Sequence, residues 1–138
     1  DLPPEEAEQV APLFRRHGLD CIFLLAPTTT LERARRICEH ASGYVYYVSL
    51  KGVTGSAALN VTEVAEKLEQ LRSVTDLPIG VGFGIRDGAS AAAIAGVADG
   101  VVVGSVLVNQ IAANVGDLDQ ARAGITAVIR DMRAAMDR

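Results

Sequence analysis

The sequence predicts a parallel α/β sheet, and three observations carry that reading. Short runs of Val, Ile, Leu, Phe and Tyr alternate with longer stretches of helical periodicity. Those runs are almost continuously apolar, as expected of strands buried on both faces and joined by crossover helices. Glycines cluster after the last two runs, whereas a doubly wound sheet concentrates them after its first strand. Glycine-ended loops after late strands, one of them leading into a short extra helix, are the phosphate-binding arrangement of a (β/α)8 barrel. The four strands read here cannot close such a barrel.

The chain opens Asp1-Leu2-Pro3-Pro4-Glu5-Glu6 without an initiator methionine, like a strand-to-helix loop already under way, so it reads as a piece. Glu5 to His17 is the first expected helix, with Pro12 forcing a kink or a late start. Cys21 to Leu25 is the first strand, and Leu31 to His40 a helix with Leu31, Ala34 and Ile37 on one face. Tyr44 to Val48 is the second strand. The loop from Ser49 to Ser56 then leads to Asn60, an N-cap with Glu63 three residues on, and the helix it opens runs to about Val74 and buries Val64, Leu68 and Leu71. Leu77 to Val81 is the third strand, ending in Gly82-Phe83-Gly84, and Asp87 caps an alanine-rich helix that stops near Gly96. Val101 to Val103 is the fourth. Gly104-Ser105 starts a short apolar helix with Val106, Leu107 and Ile111. Asp117 begins the last helix, which is expected to bury Leu118, Ala121, Ile125, Val128 and Met132 and to expose Arg122, Arg130, Asp131 and Arg133.

Composition narrows the function. The 138 residues are 49% hydrophobic and 22% charged, with a net charge of −4, an ordinary globular balance. No basic stripe offers itself to a nucleic-acid backbone. No apolar stretch approaches the roughly 20 residues of a membrane helix and no signal peptide opens the chain, so a cytoplasmic location is expected. Cys21 and Cys38 lack CxxC spacing and a histidine partner, and read as reduced packing thiols. His17 and His40 each precede a small-residue turn and read as cations at helix C-termini, not metal ligands. No metal is expected.

The residues that carry chemistry are glycines and hydroxyls. A phosphate dianion needs several N–H donors at close range; glycine permits backbone approach, and a helix N-terminus supplies free amides and positive potential. Gly82-Phe83-Gly84 and Gly104-Ser105 provide both, with the Ser105 hydroxyl as a further donor. Taken singly, each glycine could merely ease a turn; the pair points to phosphate. The pattern is not a G-x-G-x-x-G on a first βα turn, so a dinucleotide is not indicated. The small-residue loop Lys51 to Ser56 suits either a lid or a plain surface loop, and Gly55 could offer its N–H to the same phosphate. Tyr46 lies on one strand face with Tyr44, and either presents its hydroxyl to a substrate or packs in the core. No acidic residue stands at the C-terminal end of any strand.

Gly43-Tyr-Val-Tyr-Tyr-Val-Ser49, Gly52-Val-Thr-Gly55, Gly82-Phe-Gly-Ile85 and Val103-Gly-Ser105 together resemble the tryptophan synthase alpha chain family, as do Asp1-Leu-Pro3 and His17 to Pro27. The resemblance covers essentially the whole chain. It implies a TIM (β/α)8 barrel of which residues 1–138, a single domain, are the C-terminal half, the N-terminal half being absent. It implies a lyase of tryptophan biosynthesis that splits indole-3-glycerol phosphate into indole and glyceraldehyde 3-phosphate. Gly55, Gly84, Gly104 and Ser105 match phosphate-binding positions, and Leu24, Tyr46 and Phe83 match positions lining the substrate pocket. Thr54 matches the lid threonine that meets the catalytic aspartate on closure. The catalytic glutamate and aspartate of the family fall in the absent half, so the chain alone is expected to be inactive. No cofactor is expected here; pyridoxal phosphate belongs to the partner beta chain of an alpha2-beta2 assembly. Two other readings are open, another phosphate-binding barrel such as indole-glycerol-phosphate synthase or thiamine phosphate synthase, and a non-catalytic half-barrel binding module.

Overall fold

The computed structural model describes residues 3–49 and 60–137. Along them run α1 (Pro4–Arg16), β1 (Phe23–Leu25), α2 (Leu31–His40), β2 (Val45–Val48), α3 (Val61–Arg72), β3 (Ile79–Gly82), α4 (Gly88–Ala95), β4 (Gly100–Val102), α5 (Ser105–Ala113) and α6 (Leu118–Met136). The four strands form one all-parallel sheet in the order β1-β2-β3-β4, as the alternation of runs predicts.

Register divides the sheet into two unlike faces. Phe23, Val45 and Ile79 lie in one row and Leu25, Tyr47, Val81 and Val101 in another. These rows pack on the helices, in one cluster with Ala34, Ile37, Val64, Leu68, Leu71, Ala91, Ile94 and Met132. Removing large apolar side chains such as Leu25, Leu68 and Ile79 from water drives the packing, at roughly 1.5–3 kcal/mol each. Because successive strand residues point to opposite faces, the alternate rows, Leu24-Tyr46-Gly80-Gly100 and Val48-Gly82-Val102, face away from the helices.

Local chemistry sets the helix starts where the sequence placed them. Thr30, Asn60, Asp87 and Asp117 each accept a hydrogen bond from the backbone N–H three residues on. A cap of this kind contributes about 1 kcal/mol at positions such as Thr30 and Asn60.

The strands depart from expectation at their starts. Cys21 and Ile22 precede β1: the Cys21 N–H donates to the Ser42 hydroxyl at 3.0 Å, in place of a ladder bond. β3 begins at Ile79 because Pro78 has no N–H to give the ladder, although its carbonyl accepts from Val45 N at 3.0 Å. β4 starts one residue early, at Gly100. Pro12 sits inside a helix that already begins at Pro4. Leu31 and Leu118 are 39% and 83% exposed, each at the first position of its helix, where the apolar stripe runs past its packing partner. Cys21 and Cys38 are free and partly buried against the core, and burial pushes the Cys38 thiol up, as suits packing thiols.

Asp99 ties the base of the sheet together. Its carboxylate accepts from Ile79 N at 2.8 Å and from Arg72 of α3 at 3.0 Å. The Ile79 amide above all, and then the Arg72 guanidinium, hold the carboxyl below its ordinary value against partial burial. A lowered folded-state value stabilises the fold above the ordinary pKa, and that contribution disappears as pH falls through the lowered value. Urea midpoints measured from pH 6 to pH 2 should therefore fall more steeply below about pH 4 in the native chain than in Asp99→Asn.

Candidate functional site

The face turned away from the helices carries the predicted pocket residues. Leu24 and Tyr46 are register partners on adjacent strands, and Leu24 is 46% exposed. The glycines of β3 make room for tyrosine rings: a Cβ at Gly82 would collide with the Tyr46 ring and hydroxyl, and one at Gly80 would lie 3.2 Å from the Tyr44 ring. Of the tyrosines, Tyr47 takes the core position at 3% exposure, while Tyr46 stays half-buried on the open face. Burial, and secondarily Tyr44, push the Tyr46 phenol above its ordinary value, so it is a protonated donor at neutral pH.

Beyond β3 the chain turns through two left-handed residues, Phe83 at φ 74° and Gly84 at φ 77°. Glycine tolerates this conformation; for phenylalanine it costs on the order of 1–3 kcal/mol and persists only where neighbours enforce it. Ser49, just past β2, is that neighbour. Its N–H donates to the Gly82 carbonyl at 3.1 Å. Its hydroxyl lies 2.7 Å from the Gly82 carbonyl oxygen and 2.8 Å from that of Phe83. The Phe83 side chain stands 52% exposed just beyond the end of β3.

The two helices that follow differ at their N-termini. α4 is closed by its own side chains: the Asp87 carboxylate accepts from Ser90 N at 2.8 Å, and the Ser90 hydroxyl accepts from Asp87 N at 3.2 Å. Those bonds from Ser90 hold the Asp87 carboxyl below its ordinary value. α5 has Gly104 as its N-cap, with no side-chain cap and no acid in its first turn. Among the described residues, no side chain of its own first turn or cap closes the positive end of its dipole. A cavity of about 560 Å³ lies between the two starts, lined by Gly84, Arg86, Asp87, Ser90, Ser105 and Asn109 among others.

The structure therefore brings Gly84 and Ser105 to one cavity, with Gly104 immediately before it, and sets Leu24 and Tyr46 side by side. Thr54 and Gly55, with the rest of the expected lid, lie outside the described residues. Arg86 and Asn109 join the lining without a sequence signal, since an arginine at a helix entry ordinarily reads as a solvated cation; it is 84% exposed, 3.9 Å from Asp87. Along the outer edge of β1 runs a second, larger and mostly apolar cavity of about 730 Å³, lined by Phe14, Leu19, Ile22, Leu24, Ala26 and Val48 among others. Among the described residues no cluster of three or more His, Cys, Asp or Glu could hold a metal, and no helix is long and apolar enough to cross a membrane.

The family model for the tryptophan synthase alpha chain matches residues 1–137. The tryptophan synthase alpha chain of Marinobacter nauticus is 60% identical over 137 residues, covering 99% of this chain and 51% of that protein. That of Thioalkalivibrio sulfidiphilus is 58% identical, with 99% and 52% covered. Among solved structures, tryptophan synthase subunit alpha from Legionella pneumophila superposes with a TM-score of 0.81 at 40% identity, over 99% of this chain and 50% of that one. Mycobacterium tuberculosis tryptophan synthase gives 0.81 at 38% identity, over 99% and 49%. The chain spans about half the length of the curated relatives it matches.

Proposed function

This chain belongs to the tryptophan synthase alpha chain family, and from that premise we propose that it is the phosphate-holding half of a (β/α)8 barrel that cleaves indole-3-glycerol phosphate to indole and glyceraldehyde 3-phosphate. The observation that carries the reading is the convergence of Gly84 and Ser105 on one cavity at the uncapped start of α5, beside a helix whose own start is closed. The Gly84, Gly104 and Ser105 amides and the Ser105 hydroxyl would bind the dianion, with Gly55 as a further donor. Leu24, Tyr46 and Phe83 would line the indole and glyceryl pocket, and Thr54 would belong to a lid.

The reaction breaks the bond between the indole ring and the glyceryl carbon. An acid protonates the ring carbon while a base takes the proton of the hydroxyl on the departing carbon, which becomes the aldehyde. The residues of this chain grip the substrate away from that bond, so their binding energy orients it. The acid and base would come from the N-terminal half of the barrel, which would pack against the open edges of β1 and β4. Indole would pass to a beta chain that carries pyridoxal phosphate, in an alpha2-beta2 assembly in the cytoplasm; this half needs no cofactor of its own.

The test is a calorimetric titration of this chain with sn-glycerol 3-phosphate. Saturable binding is expected, and Ser105→Ala should weaken it about tenfold or more, as for a hydrogen bond to a charged group. Lowering the pH from 7.5 to 5 should weaken it further as the dianion gains a proton near pH 6. Binding that is equal in Ser105→Ala would overturn the assignment.

A further inference from the structure

The Gly82-Phe83-Gly84 turn is held from outside its own segment, and the way it is held has a direction. Phe83 keeps a left-handed φ of 74° that a bulky residue leaves readily when released. Ser49 N–H alone would complete the pairing of β2 with β3, through the Gly82 carbonyl. The Ser49 hydroxyl does something further: it reaches the carbonyls of both Gly82 and Phe83, at 2.7 and 2.8 Å. The Phe83 carbonyl and the Gly84 N–H belong to one trans peptide plane and point in opposite directions. Fixing that carbonyl toward Ser49 aims the Gly84 N–H away from β2, and Gly84 lines the cavity that Ser105 also lines.

We propose that Ser49 is a positioning residue for phosphate recognition, its hydroxyl holding the Phe83–Gly84 peptide so that the Gly84 amide donates into the cavity at the start of α5. The proposal rests on the phosphate reading given above and adds to it a residue that touches no ligand. A serine whose role were only to join two strands would affect stability without singling out one amide. A serine that sets the Gly84 donor affects that amide's response to phosphate and leaves the Ser105 response in place.

The experiment is an amide nuclear magnetic resonance titration of this chain with sn-glycerol 3-phosphate, following Gly84 and Ser105. In the native chain both resonances should shift and saturate together. In Ser49→Ala the affinity should fall about tenfold, the loss of one charge-assisted donor, with the Gly84 displacement reduced and that of Ser105 retained at saturation. Ser49→Thr, which keeps the hydroxyl, should restore the Gly84 response. Should Ser49→Ala fail to fold, Ser49→Cys, nearly the same size with a much weaker donor, should show the same selective loss. Native-like affinity and Gly84 displacement in either folded variant would overturn the proposal alone. Native Gly84 and Ser105 amides that do not respond would overturn the phosphate reading, and this proposal with it.

Discussion

Given indole-3-glycerol phosphate on its own, this chain is expected to release no indole above the uncatalysed rate, and to release it once mixed with the N-terminal half of a related alpha chain. The expectation follows from where its carboxylates lie. The nearest acid downstream of any strand end is Asp87, and it is engaged in capping α4. A positioned acid or base contributes about 10²–10⁴-fold, so losing both removes the chemistry even if the substrate still binds. The proposed N-terminal half would have open surface to pack on: β1 and β4 are edge strands of the described sheet, and an apolar cavity of about 730 Å³ follows the outer side of β1. Unpaired edges next to apolar surface favour strand addition. Indole release by this chain alone would show that it holds an acid and base of its own. Silence after mixing, with a folded complex demonstrated, would favour a different phosphate-binding barrel.

What could be read in advance was what short-range chemistry decides. Asn60, Asp87 and Asp117 cap helices where a side-chain oxygen meets the amide three residues on, a contact visible within four letters of sequence. Gly84 and Gly104-Ser105 were legible for a related reason, since each sits where a strand hands over to a helix. Strand starts were less so, because pairing depends on the neighbour: Pro78 withholds an amide, and Cys21 turns its own toward Ser42. Periodicity named Leu31 and Leu118 as buried without showing that each stands beyond the element it would pack on. Ser49 was out of reach altogether as a structural residue. Its partners are 33 and 34 residues away, and only the register of β2 on β3 brings them together.

The same register makes Gly82 the most informative single position on the open face. Gly82→Ala is expected to displace the Tyr46 ring, because the new Cβ would fall inside contact distance of the hydroxyl and the ring edge. The strand itself is the stiffer partner: Gly82 is paired to Val48 on one side and Val102 on the other, and its carbonyl is held by Ser49. Overpacking of this kind costs about 1–3 kcal/mol, so urea midpoints should fall by that amount in the single variant. In a Tyr46→Ala background the same Gly82→Ala change should cost little, leaving a coupling of about 1 kcal/mol or more between the two sites. Gly80→Ala, whose Cβ would meet the edge of the Tyr44 ring at 3.2 Å and Val102 at an ordinary 3.7 Å, should be milder. In the reconstituted barrel, Gly82→Ala should also raise KM for indole-3-glycerol phosphate about tenfold, since it moves the Tyr46 hydroxyl out of the pocket proposed for it. Additive stabilities would mean that Gly82 serves something other than the ring, and the bare backbone at the end of β3 would then be kept for the ligand itself.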